Sequence, residues 1–328
     1  MFKFFNSYRG EEPEALDVLV CDEAHRIRQF SHDRFTKKSD RTDRPQVDEL
    51  IDVAKVSVFF IDDLQVVRPG ETGSADLIRN AAEHAGASVL EYELEAQFRC
   101  GGSDGFVQWV DNTLDIRKTP TVLFEPDDQF EFDVVDSPRE LQALINQKAA
   151  QGATARLVAG FCWPWSEPNH DGTLVTDLKV DDWVMPWNAK SDAARLAPGI
   201  PKSNFWASEA GGLDQVGCVY TAQGFEFDYV GVVFGRDLVY RQRQGWVGQP
   251  EFSKDSVVRR AANDSVDRFT DLVKQTYRVL LTRGLKGCYV FFEDQATRDF
   301  VLSRLELPTA DGLEPLPIDE DVTIREDV

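Results

Sequence analysis

The chain has 328 residues, with 57 acids against 36 bases for a net charge of −21, and 42% hydrophobic residues. That apolar content excludes wholesale disorder, the length allows about two domains, and no run of about 18 apolar residues exists to span a membrane. The charge argues against broad coating of nucleic acid, although a sum of charges hides local patches.

Short apolar runs alternate with amphipathic stretches, the pattern of βα units around a mostly parallel sheet in an α/β fold. Asp17 to Cys21 reads as a buried strand ending in Asp22-Glu23, and Val56 to Ile61 as a second ending in Asp62-Asp63. Ser74 to His84 reads as a helix stopped at Gly86, and Ser88 to Leu94 as a third strand. Asp104 to Leu114 has helical spacing through Phe106, Trp109, Val110 and Leu114. Ser137 before Pro138 is an N-cap followed by a first-turn proline, opening a helix to about Ala150. Arg156 to Phe161 reads as another strand. Trp163 to Trp206, rich in Trp, Pro and Asp, reads as an irregular insertion with a hairpin near Leu174 to Val184. Asp228 to Phe234 is a strand, Ser265 to Leu281 a long helix, Cys288 to Phe292 a strand and Asp294 to Leu305 a last helix. Residues 306–328 hold eight acids and one base, a charge of −7 that leaves −14 for the rest, and read as an acidic, flexible tail, an expectation that lies outside the residues described below. The opposite imbalance occurs in residues 26–44, with seven bases and three acids, which either track a phosphate backbone or form a solvated loop.

The cysteines Cys21, Cys100, Cys162, Cys218 and Cys288 are far apart, without a C-x-x-C pair, and argue against a disulfide framework or zinc knuckle. Nor do the four histidines show ligand spacing. MFKFFNSYRG lacks the apolar stretch of a secretory signal, so the expected compartment is the reducing cytoplasm.

Both carboxylate pairs sit at the C-terminal ends of apolar strands, where ligand sites gather in open α/β sheets. Val18-Leu-Val-Cys-Asp22-Glu23-Ala24-His25 suits a Walker B element: the strand plants Asp22 to hold Mg²⁺ beside phosphates, and Glu23 can activate water. Ile61-Asp62-Asp63-Leu64-Gln65 places a glutamine, both donor and acceptor, at the second strand end. Further segments are Leu94-Glu-Ala-Gln97-Phe98-Arg99-Cys100, Tyr220-Thr221-Ala-Gln223-Gly224-Phe225-Glu226-Phe227-Asp228, and Tyr277-Arg278-Val-Leu-Leu-Thr282-Arg283-Gly284. Arg99 and Arg283 suit transition-state phosphate charge. Phe161-Cys-Trp-Pro-Trp165 could stack bases or pack in a core.

In this order the five segments resemble motifs II to VI of superfamily 1 helicases, and their wording is similar to the Schlafen group 3-like DNA/RNA helicase domain family over about residues 17–292. The ending L-L-T-R-G differs from the Q-R-x-G-R-x-G-R of superfamily 2. The resemblance implies RecA-like P-loop NTPase architecture with ATP and Mg²⁺ in an interdomain cleft. Residues 1–95 would be the C-terminal part of a first RecA-like domain, and 96–305 a second one with the insertion at about 163–206. Asp22 would hold Mg²⁺ and Glu23 would activate water. Gln65 would couple the γ-phosphate to the nucleic-acid site, Arg99 and Arg283 would be arginine fingers, Glu226 would contact the ribose, and Thr221 would touch the nucleic-acid backbone. His25 would be structural or a relay between motifs. Single-stranded DNA or RNA is the implied partner.

No G-x-x-x-x-G-K-[ST] occurs; Lys3 has no glycine loop, and Lys286 lies within the last motif. A P-loop supplies the phosphate cradle. The expectation is therefore a C-terminal portion of a longer helicase or translocase, inactive alone until a P-loop segment or partner chain is supplied. The alternative is a non-catalytic helicase-like remnant acting as a binding or regulatory module. A nuclease finds no signature here.

Overall fold

The computed structural model describes residues 3–33, 36–93, 100, 104–125 and 130–305. Apolar runs become strands and Ser- or Asp-capped amphipathic stretches become helices. In chain order these are β1 (Leu16–Cys21), α1 (Gln46–Asp52), β2 (Ala54–Phe59), α2 (Ala75–His84), α3 (Asp104–Thr113), β3 (Glu131–Val134), α4 (Pro138–Ala150) and β4 (Ala155–Ala159). They continue with the hairpin strands β5 (Leu178–Val180) and β6 (Trp183–Met185), then β7 (Val216–Gly217), α5 (Val219–Ala222), β8 (Phe227–Phe234), β9 (Leu238–Arg241) and β10 (Gly245–Gly248). The last are α6 (Ser256–Arg259), α7 (Val266–Leu281), β11 (Gly284–Phe292) and α8 (Gln295–Leu302).

Strands β3-β11-β8-β4-β7 form one five-stranded sheet, parallel throughout. Its side chains alternate between two cores, as the two-residue period of a strand requires. Val158, Val230, Val232, Phe234, Cys288 and Val290 pack on α3, α7 and α8. Leu157, Ala159, Val233, Tyr289 and Phe291 face α4 and the β5–β6 hairpin. Both faces are covered, as parallel sheets require. Strands β1 and β2 pair in parallel as a separate two-stranded sheet, with Val18 opposite Val56 and Val20 opposite Val58. One face of it packs through Leu19, Cys21, Leu50, Val53 and Ala54. The other leaves Val18, Val20, Val56 and Val58 exposed.

Most expected elements form at nearly the expected places. Ser74, Ser137, Ser265 and Asp294 cap their helices by accepting backbone N–H groups, each worth about 1 kcal/mol. The expected strand from Ser88 to Leu94 does not form: residues 88–93 are irregular and exposed, and Leu94 lies outside the described residues. An apolar run becomes a strand only when an edge pairs with it; here Glu91 is instead tied to Arg79 of α2. The chain pattern missed β3, α1 and the β9–β10 hairpin, which are short or flanked by polar residues.

The insertion is less irregular than its composition suggests. Its hairpin forms, and its tryptophans turn inward. Trp163 donates to Lys179 O, Trp165 to Asn188 O and Trp187 to Pro164 O at 2.7–3.0 Å, with Phe161 packed edge-on against Trp187. The aromatic cluster is core packing, with the indole N–H groups of Trp163, Trp165 and Trp187 already paired.

At the C-terminal end of β8, Asp237 is buried, and burial pushes its carboxyl above the ordinary range, opposed by the Tyr277 hydroxyl, which donates to it at 2.6 Å. Tyr277 in turn accepts the Gly235 N–H at 2.9 Å. A carboxyl raised on folding stabilises the native state most in acid, and that contribution is lost as pH rises from the unfolded to the folded value. Asp237→Asn should therefore gain stability relative to the wild type as pH rises above about 4; thermal melting of both proteins from acid to neutral pH would show the difference, and parallel curves would refute it.

Candidate functional site

The first strand carries its carboxylates out of the sheet at Cys21. Asp22 is exposed and accepts the Glu23 N–H at 3.0 Å. Glu23 has the left-handed backbone conformation, φ +55°, which costs a non-glycine residue of order 1 kcal/mol and turns its side chain back toward His25. Its Oε2 lies 3.1 Å from His25 Nε2. The turn is pinned from both sides. Ala24 N–H bonds to Phe60 O, and Thr72 and Gly73 N–H groups bond to Ile27 O. A Cβ at Gly73 would collide with Ala24 O, so only glycine allows this approach. Contact with His25 holds the Glu23 carboxyl below its usual range; burial opposes this, while the charges of His25, Arg26 and Arg283 add to it.

At the end of the second strand, Asp62 caps a short turn, accepting Leu64 N–H and Gln65 Nε2 at 3.0 and 2.9 Å. Gln65 is buried. Across from both strand ends lies Gln223, which precedes β8. Its Nε2 is 3.0 Å from His25 Nε2 and donates to Gln65 O at 3.4 Å. Arg283, at the N-terminal end of β11, is 1% exposed. Its Nε donates to Val279 O at 3.0 Å and Nη1 to Phe225 O at 3.4 Å. The site is thus built from the C-terminal ends of β1 and β2 and the N-terminal ends of β8 and β11.

The structure brings Glu23, Gln65 and Arg283 together with His25 and Gln223, and leaves Asp22 exposed at the rim. Glu226 is exposed in the turn before β8. Thr221 is turned away from solvent, with Oγ1 donating to Asn188 at 3.0 Å. Arg99 lies outside the described residues. In the basic stretch, Arg44 pairs with Asp52, Arg41 donates to Thr36 O at 3.0 Å, and Arg34 lies outside the described residues.

Sequence reasoning missed a second set of contacts. Arg278 donates to Asp111 at 2.5 Å and lies 3.7 Å from Asp62. Asp111 also receives Arg117 at 2.7 Å. The signal was present: Asp111 and Arg278 are charges on otherwise apolar helix faces. Arg68 places its guanidinium 3.8 Å from the Tyr220 ring centroid, joining the end of the second motif to the start of the fourth segment.

A family model described as the Schlafen group 3, DNA/RNA helicase domain matches residues 1–294. The chain belongs to that family. Within this Schlafen group 3 helicase domain, the match takes in β1 through β11 and so contains the whole cluster just described. The domain is also 25% identical, over 333 aligned residues, to an uncharacterized protein of Saccharomyces cerevisiae, covering 92% of this chain and 70% of that protein. Among the described residues no helix is long and apolar enough to cross a membrane.

Proposed function

We propose that the chain is the C-terminal portion of an ATP-dependent superfamily 1 DNA or RNA helicase or translocase, and that alone it does not turn over ATP. The observation that carries this reading is the convergence of Glu23, His25, Gln65, Gln223 and Arg283 from both ends of the chain into one largely buried polar cluster. Family membership makes a helicase-type NTPase the natural use of such a cluster. The apolar cluster around β1–β2 is separate from those of the five-stranded sheet, which supports two RecA-like parts, 1–95 and 96–305, with Val66 and Val67 of the first packing into the second.

The residues present fit Mg²⁺ and ATP. Buried polar atoms without partners occur at this cluster, His25 Nδ1, Arg26 Nε and Gln65 Oε1, and on Arg68 Nε three residues beyond Gln65. Such atoms cost about 1–3 kcal/mol each when left unpaired, and arginine donors are matched by phosphate oxygens. Asp22 offers a hard carboxylate oxygen suited to Mg²⁺. When bound, ATP would supply the phosphoanhydride that is broken and Mg²⁺ would neutralise charge on its phosphates. Glu23, kept ionised, takes a proton from the attacking water. Gln65 joins the phosphate end of the site to Gln223, Arg99 and Arg283 bring positive charge and Glu226 meets the ribose, while Thr221, buried with its hydroxyl on Asn188, serves the nucleic-acid side by anchoring its segment and not by touching a strand.

What the sequence does not contain is G-x-x-x-x-G-K-[ST], hence the proposed inactivity. The exposed valine face of β1–β2 supports a further P-loop-bearing segment or partner chain packing there. The same missing motif favours a second reading, a helicase-like binding or regulatory module without catalysis. Phosphate release by the pure chain should not exceed background. Turnover that disappears in Glu23→Gln would refute the inactivity. Turnover on adding a P-loop segment selects the helicase reading; none, with no nucleotide bound, selects the regulatory one.

A further inference from the structure

We propose that the groove beside α6 holds backbone phosphates of a single-stranded DNA or RNA, gripped by Arg259 and Arg260. This rests on the helicase reading above and says where on this chain the strand would be held.

The argument starts from charge. Residues 254–263 contain Lys254, Arg259 and Arg260 and one acid, Asp255. That acid is turned inward: it accepts the backbone N–H groups of Val257 and Val258 at 2.8 and 3.1 Å and the Tyr220 hydroxyl. The outward charge of the segment is therefore wholly positive, on a chain whose net charge is −21. Beside it is a groove of about 330 Å³ lined by Pro250, Ser256, Arg259, Arg260, Ala262 and Asn263, with no carboxylate in the lining.

The two guanidinium groups are available. Elsewhere on the surface, Arg44, Arg79, Arg139 and Arg298 each pair with an acid. Arg260 is exposed; its Nε donates to Ser256 O at 3.0 Å within its own turn, and it makes no ion pair among the described residues. Arg259 makes no ion pair among the described residues, and the nearby Asp264 is taken by Arg268 at 3.2 Å. Adjacent like charges repel, and an anion between them removes that cost. Ser256 and Asn263 add neutral groups able to bond phosphate or sugar oxygens.

Position then selects a strand over a free anion. Asp255 joins α6 to Tyr220, the neighbour of Thr221. Tyr220 carries Arg68, three residues beyond Gln65. The groove is thus tied to both segments that lead into the Gln65–Gln223–His25 contacts, so a strand lying in it would be felt at the cluster.

Fluorescence anisotropy with labelled oligothymidylate and oligouridylate tests this on the whole chain. The double variant R259E/R260E should bind at least about 10-fold more weakly at about 50 mM salt. R259Q/R260Q should flatten the log–log salt slope by about 1.4, the value for two single-strand phosphates. R139E, a charge reversal at a paired surface arginine far along the chain, should stay within about two-fold, and circular dichroism should show all three folded. Wild-type binding unchanged in both double variants would overturn the groove and leave the helicase reading standing. No binding by the wild type at low salt would overturn the groove together with the nucleic-acid half of that reading. Full competition by millimolar inorganic phosphate or pyrophosphate would assign the groove to a free anion instead and overturn the proposal.

Discussion

Replacing Arg283 by alanine should lower ATP turnover about 10³–10⁵-fold in a form of the protein that carries a P-loop, the range set by other arginine fingers. Arg283 is suited to this by position. It is held by two backbone carbonyls, Val279 O and Phe225 O, and its charge adds, after the larger effect of His25, to holding the Glu23 carboxyl below its usual range. A side chain held in this way loses little freedom when phosphate charge develops, which is the basis of electrostatic preorganisation. Lysine should not rescue the loss, because one ammonium cannot reproduce a planar fork of five donors. Phosphate release measures the loss. Binding of a fluorescent ATP analogue should change only a few-fold, separating a transition-state role from a general binding role. Equal losses in both, or a retained rate, would remove Arg283 from the reaction.

Replacing Arg278 by alanine should destabilise the fold by about 3–5 kcal/mol, the usual cost of breaking a buried ion pair. Asp111 is 0% exposed and Arg278 only 7%. Without Arg278, the Asp111 carboxylate keeps one partner, the half-exposed Arg117. Without Asp111, Arg278 is left with Asp62 at 3.7 Å. Asp111→Ala should therefore cost a similar amount. The double replacement Arg278→Met with Asp111→Leu should recover most of the loss, since a buried pair exchanged for apolar groups of similar volume is often neutral. Denaturant unfolding gives all three values. Additive single losses, or a loss under about 1 kcal/mol for Arg278→Ala, would show that the pair is not coupled. Because Asp62 stands beside Gln65, the same variants report whether the second motif is held in place by α7.

Much of the site was legible in the sequence, for a local reason. Asp22 and Asp62 follow apolar runs, and a run long enough to be a strand must end where polar residues can reach water. The helices announced themselves by caps at Ser74, Ser137 and Ser265, which act on backbone donors two or three residues away. Thr221 illustrates the limit: its place in the motif was readable, but not that its hydroxyl would be bonded to Asn188, a residue of the insertion. The stretch 88–94 shows the converse. Its apolar pattern is that of a strand, but a strand requires a paired edge, and none is supplied to residues 88–93.

The sequence by itself therefore determined the α/β alternation, the family, and which residues stand at the strand ends. These depend on composition, on the periods of helix and strand, and on short-range capping. Tertiary structure alone decided that Gln223 reaches His25 and Gln65, that Arg278 is shared by Asp111 and Asp62, that the tryptophans of the insertion pack inward, and that Asp255 turns in while Arg259 and Arg260 remain outside. Each of these is a contact between residues distant in the chain or a choice of side-chain direction. Such contacts are set by packing and by the cost of leaving buried polar groups unpaired, which no local pattern records.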